Sequence, residues 1–152
     1  MNARTTLQAL GLAAIMLLST GSADAEPTAL RLWHAGTVFA NMGQCAITLT
    51  LDSQLQQVQD LTLRLSLLDS RGQVVAHGTL TAPDFGDTEA RRYQDGHWAH
   101  EALCDDGLSL RIEAARARLD GQALDLIAAR LLSVEDFRPM RIQLPAPRTR
   151  KR

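Results

Sequence analysis

The stretch Leu61-Thr62-Leu63-Arg64-Leu65-Ser66-Leu67-Leu68-Asp69-Ser70-Arg71-Gly72-Gln73-Val74-Val75 reads as two strands and the turn between them. Leu61, Leu63, Leu65 and Leu67 fall on one side, and Thr62, Arg64 and Ser66 on the other, the period of two of a half-buried strand. Asp69 to Gly72 supplies turn chemistry, with Gly72 suited to a left-handed position. The second strand runs from Gln73 to Leu80. Its weaker alternation and Gly78 place it near a sheet edge.

Upstream, Leu30 to Ala40 reads as a strand interrupted at Gly36, and Asn41-Met42-Gly43-Gln44 as a turn. In Cys45 to Leu51, residues Cys45, Ile47, Leu49 and Leu51 share one face, which predicts a buried cysteine placed to bridge two sheets. Downstream, Thr81 to Gly107 is the least regular part, with Pro83, Gly86, Gly96 and seven acidic residues. A connection of that length crosses between sheets or carries a binding surface. Leu108 to Arg118 is a further strand, and Leu119-Asp120-Gly121-Gln122 a two-residue hairpin turn. Ala123 to Leu132 mixes strand and helix signals; a strand to Leu126 followed by an irregular stretch or short helix reconciles them. Met140 to Leu144 is a last short strand. The fold expected is all-β, a fibronectin III or immunoglobulin-like β-sandwich of six to eight strands with one disulfide.

Arg4 precedes an apolar run from Leu7 to Leu18, broken only at Gln8, and Ala23-Asp24-Ala25 sets small residues where a signal peptidase reads. A signal peptide over residues 1–25 follows, with cleavage before Glu26. The apolar run is too short for a bilayer span of about 20 residues, so no membrane insertion is expected after cleavage. Residues 26–144 make one sandwich domain and 145–152 a basic disordered tail carrying Arg148, Arg150, Lys151 and Arg152. The location expected is periplasmic or secreted. With a formal net charge of −1, nothing favours nucleic acid.

In an exported chain Cys45 and Cys104 default to one disulfide, against a metal-bound pair or free thiols. Closing that loop stabilises by about 4 kcal/mol in the loop-entropy model. The best metal pattern is Asp95-Gly96-His97-Trp98-Ala99-His100-Glu101. On a helix His97 and His100 share a face beside Glu101, a ligand set suited to zinc or copper, but the spacing matches no metalloprotease motif and Gly96 disfavours the helix. Asp84, Asp87, Asp105 and Asp106 lack calcium-loop spacing. Nucleophile elbows, SxxK and phosphate-binding glycine loops are missing, so no enzyme and no cofactor is expected. Trp33 reads as core, whereas Trp98 divides evenly between packing and a partner-binding anchor.

Trp33-His34-Ala35-Gly36, Phe39-Ala40-Asn41-Met42-Gly43-Gln44-Cys45, Phe85-Gly86-Asp87-Thr88 with Arg92-Tyr93, Glu101-Ala102-Leu103-Cys104-Asp105-Asp106, and Asp120-Gly121 with Asp125-Leu126 form an ordered set of short patterns. From about Leu30 to Leu144 the chain resembles the interleukin receptor mimic protein A family of Gram-negative bacteria. The resemblance implies a fibronectin III-like sandwich shaped like a cytokine receptor ectodomain, with Cys45 and Cys104 as its intrachain bridge. It implies a homodimer formed by strand exchange and binding to host cytokine or cytokine-receptor proteins. Thr81 to Gly107 is the natural hinge for such an exchange. Two other classes compete: a pilus or surface-fibre subunit, for which Glu26-Pro27-Thr28-Ala29 is too short a donor strand, and a periplasmic metal-binding protein using His97 and His100.

Overall fold

The structure, a computed structural model, describes residues 28–137 and 140–146. The signal peptide read in the sequence and the basic residues of the tail lie outside the described residues. The strands are β1 (Leu30–Asn41), β2 (Gln44–Asp52), β3 (Val58–Leu68), β4 (Val74–Ala82), β5 (Tyr93–His100), β6 (Ser109–Leu119), β7 (Gln122–Asp125), β8 (Leu132–Val134) and β9 (Arg141–Gln143). One sheet has the order β5-β2-β1-β8. The other has β4-β3-β6-β7, with β9 also beside β6. Pairing is antiparallel except for β1 with β8 and β6 with β9.

The leucine alternation of β3 packs as its period requires. Leu61, Leu63, Leu65 and Leu67 are fully buried against Ile47, Leu49 and Leu51 of β2 and Leu110 and Ile112 of β6 in one core. The Asp69 carboxylate accepts the backbone N–H groups of Arg71 and Gln73 at 2.9 and 2.8 Å, which closes the turn before β4. Asp120 and Gly121 sit at φ 48° and 85°, the geometry of a two-residue hairpin turn between β6 and β7. β4 is the edge strand that its weak alternation predicts. After β7 the chain makes an irregular turn in which the Ala129 N–H reaches the Asp125 carbonyl at 2.9 Å.

Two expectations need correction. Thr81 to Gly107 is not an irregular connection. It crosses to the other sheet and there forms the regular strand β5, which pairs with β2 from Cys45↔His100 to Asp52↔Tyr93. The strand is polar because its outward residues, Tyr93, Asp95 and His97, are exposed while Gly96 faces inward. Within the single chain, β5 is held by its own β2. The Cys45–Cys104 disulfide forms, with Cα atoms 5.1 Å apart, but it does not cross between sheets. It joins the start of β2 to the 3-10 turn Glu101–Cys104 that follows β5, its neighbour in the same sheet.

The two sheets close on each other along the β4 and β5 edges by reciprocal fit. A Cβ on Gly78 of β4 would lie 2.3 Å from the Trp98 ring of β5, and a Cβ on Gly96 of β5 would lie 2.5 Å from the Leu80 side chain of β4. Each glycine makes room for the large side chain of the facing strand. Gly78→Val and Gly96→Val are each expected to lower stability by about 1–3 kcal/mol through overpacking. Gly36→Ala, with nothing near its added methyl, should stay within about 0.5 kcal/mol. Urea unfolding midpoints compare the three; equal losses would mean the edges are not in contact.

Candidate protein-binding surface

β1 and β2 pair along their whole length, from Arg31↔Asp52 to Asn41↔Gln44, whereas β8 covers only Leu30 to Leu32 on the other side of β1. Beyond Gly36 no described strand pairs with that outer edge. This free edge of β1 together with the β1–β2 turn forms an exposed arm at the rim of the sheet, its inner side backed by β2, which is itself paired with β5 as far as Cys45. Every residue from Thr37 to Gln44 is exposed, with Val38 62 %, Phe39 70 % and Met42 91 % accessible. No charged residue occurs between Ala35 and Gln44. Edge strands are ordinarily blunted by charge or proline, and exposed apolar groups grouped this way mark contact surfaces.

At the base of the arm lies a cavity of about 320 Å³, whose walls include Val38, Phe39, Leu103, Leu108 and Met140. The Cys45–Cys104 bridge lines it, and exposed Asp105 and Asp106 contribute carboxylates. His34 lies at its buried side, 2 % accessible. Its Nδ1 accepts the Met140 N–H at 3.2 Å and its Nε2 faces Thr37 Oγ1 at 3.0 Å. Burial lowers the His34 pKa, against a smaller opposing hydrogen bond to the Gly36 backbone, so the ring is neutral at neutral pH. It ties β1 to the segment entering β9.

The outer face of the same sheet carries an aromatic and charged group of its own. Trp33 meets Tyr93 and Phe137 edge-on, with ring centroids 6.3 and 5.8 Å away. The Arg92 guanidinium stacks 5.1 Å above Tyr93. Arg92 also binds buried Asp52 through two parallel hydrogen bonds of 2.8 and 3.0 Å. Burial pushes the Asp52 carboxyl up, but the Arg92 hydrogen bonds, the Gln54 N–H and the charges of Arg92 and Arg31 outweigh it and hold the pKa down. Arg31 pairs with Glu135 at 2.7 Å.

Of the residues singled out in the sequence, Cys45 and Cys104 meet. His97 and His100 do not. On a strand a spacing of three puts them on opposite faces, so the shared face that a helix would have made does not arise. His97 Nδ1 pairs with Thr48 Oγ1 at 3.1 Å on the outer face, and His100 Nδ1 accepts the Ala102 N–H at 3.0 Å to cap the next turn. Glu101 is exposed in that turn. Among the described residues no three His, Cys, Asp or Glu side chains gather as metal ligands. Trp98 is half-buried over Gly78, in a packing role. On the second sheet, buried Ser66 hydrogen-bonds His77 Nδ1 at 3.0 Å. Hydrogen bonds from Ser66 and then Arg111 lower the Glu113 pKa. The serine lies between the other two, not at the end of a relay, so this arrangement does not prepare a nucleophile.

The arm residues Val38, Phe39 and Met42 were not singled out by sequence reasoning. The signal was present as an uncharged apolar run astride a turn, but the same run reads equally well as core.

These features define a two-sheet β-sandwich that presents apolar and aromatic surface. The family model for interleukin receptor mimic protein A matches residues 30–134, from the start of β1 to the end of β8. The chain belongs to that family. The solved structure of IrmA from Escherichia coli is similar to it with a TM-score of 0.61 and 23 % identity, over 76 % of this chain and 98 % of that one. No curated protein matches the chain.

The Asp52–Arg92 pair gives a pH-dependent expectation. A carboxyl held below its ordinary value of 3.8 contributes stability above that value and loses it as pH falls through the lowered one. Asp52→Asn should unfold at lower urea than the parent at pH 7, because it leaves Arg92 without its charge partner. The gap should start to close as pH falls below about 3.8 and vanish as pH passes through the lowered value, where the folded parent's carboxyl also loses its charge. A gap that stays constant with pH would show that Asp52 acts by shape alone.

Proposed function

We propose that this chain is an exported, non-enzymatic binding module that recognises host proteins of the cytokine system in the manner of a receptor ectodomain. The observation that carries the reading is the family match, which spans β1 to β8 and with them the exposed β1–β2 arm. A disulfide fits an oxidising compartment, and no described helix is long and apolar enough to cross a membrane. A receptor-like module works by contact area and a few anchors, and Phe39, Met42, Tyr93 and Arg92 are residue types over-represented at such anchors. The module acts as a homodimer. The resemblance implies that the two chains exchange strands, with Thr81–Gly107 as the hinge.

Fibre-subunit and metal-binding roles lack support of this kind. A sandwich awaiting a donor strand leaves its core open, and here Leu30, Leu32, Leu49 and Leu65 are all closed off from solvent. His97 and His100 point apart.

The test is binding of the oxidised, exported chain to a panel of purified interleukins and interleukin-receptor ectodomains. Saturable binding to one of them is expected, with Cys45→Ala/Cys104→Ala weakening it through instability. Light scattering of the same sample is expected to give twice the chain mass. Failure to bind any panel member by a folded, disulfide-closed chain would sink the cytokine reading. A monomer that persists at high concentration would remove the dimer.

A further inference from the structure

We propose that the β1–β2 arm accepts an extended segment of a partner protein as an added strand along the free edge of β1. An apolar side chain of that segment enters the cavity at the arm's base, and a lysine or arginine meets Asp105 and Asp106. The proposal rests on the protein-binding reading and names the chemistry of the partner.

Three independent observations converge on it. The first is backbone. β1 runs to Asn41, but β8 covers its outer edge only at Leu30 to Leu32, and a single further bond runs from the Glu135 N–H to the Leu32 carbonyl. From Gly36 onward the outer peptide groups of β1 have no partner among the described residues, which is the template that strand addition uses. The second is side-chain chemistry. Val38 and Phe39 stand exposed on this edge with no charge nearby in sequence to discourage pairing. The cavity beside them has room for one large apolar side chain and is walled by Phe39, Leu103, Leu108 and Met140. The third is charge. Asp105 and Asp106 line the same cavity, are exposed, and form no salt bridge among the described residues, while the only other titratable lining group, His34, is held neutral by burial.

That charge selects the occupant. Pairing two identical arms would bring both Asp105–Asp106 pairs to one interface, and among the described residues no cation lines the cavity to meet them. A basic, apolar, extended segment satisfies the backbone, the cavity and the carboxylates together. The arm is also prepared for docking. Phe39 lies opposite Cys45 in the β1–β2 register, and Cys45 is covalently tied to Cys104, so little ordering remains to be done on binding.

The experiment uses the oxidised, exported chain and a synthetic probe. The probe is a peptide of alternating threonine and valine that ends in two arginines. A length of about eight residues spans the exposed part of β1 at roughly 3.3 Å per residue. Backbone amide exchange is measured with and without it. Slowed exchange confined to Gly36–Asn41 is expected. Phe39→Lys, which places a charge on an exposed edge, should weaken the probe at least tenfold. Asp105→Asn with Asp106→Asn should weaken it about fivefold, as expected of exposed charge pairs. A peptide ending in two glutamates should not bind. Both substituted residue sets are exposed, so their urea midpoints should match the parent, which separates lost docking from lost folding.

Protection of another strand, or none at millimolar probe, overturns the proposal. So does protection of Gly36–Asn41 that grows with protein concentration alone and vanishes in Phe39→Lys, because a second copy then holds the edge. If the probe docks but no cytokine-system protein binds, the strand-accepting arm stands and the receptor-like reading falls. If such a protein binds with equal strength to Phe39→Lys, the arm is not its site.

Discussion

Burial of the leucine face of β3 is the constraint on which the rest of the sandwich depends. Leu61, Leu63, Leu65 and Leu67 are excluded from water and lie on a strand paired on both sides, with β4 and β6. Such a strand cannot shift register by one residue without turning its leucines to solvent. It therefore sets the registers of β4 and β6, and through them the turns at Asp69–Gly72 and Asp120–Gly121. The second sheet lies over the leucines and supplies Ile47, Leu49 and Leu51 from β2. Buried aromatic mass is small, Phe85 being its main member, so the core relies on the density of aliphatic contacts.

The edges of the two sheets are treated differently, and that difference carries the functional reading. Along β4 and β5 the sheets meet through Trp98 on Gly78 and Leu80 on Gly96, which brings the backbones close. Along β1 the cover stops after three residues, and the strand runs on uncovered with an apolar arm. The disulfide lies at the base of that arm. Its effect is less to hold the two sheets together than to fix β2 to the turn after β5, so that the exposed arm grows from a braced platform. An uncharged, uncovered edge carries a risk of aggregation, and keeping one is easiest to understand if something pairs with it.

Strand positions and turn chemistry were largely legible in the chain. The β3–β4 hairpin, the break at Gly36, the Asp120–Gly121 turn and the edge position of β4 all appear where alternation and turn residues put them. β5 was hidden because its pattern is inverted: its inward positions are Gln94, Gly96, Trp98 and His100, of which Gly96 alone is buried. A glycine in place of an apolar residue erases the alternation that marks a strand, and the reason for that glycine, Leu80 on the facing sheet, is distant in sequence. The same misreading lent His97 and His100 a helical relation that a strand does not allow.

The order of residues by itself determined the class of fold, the turns and the choice of cysteines, since period, turn propensity and cysteine number are local properties of a chain. The family patterns were local too, and the match over residues 30–134 agrees with them. Tertiary structure alone decided which edge stays open, which sheet the disulfide braces, and that Val38, Phe39 and Met42 face water instead of the core. Each of those depends on how far a neighbouring strand extends, and the length of β8 beside β1 is set by packing between segments about a hundred residues apart in the chain.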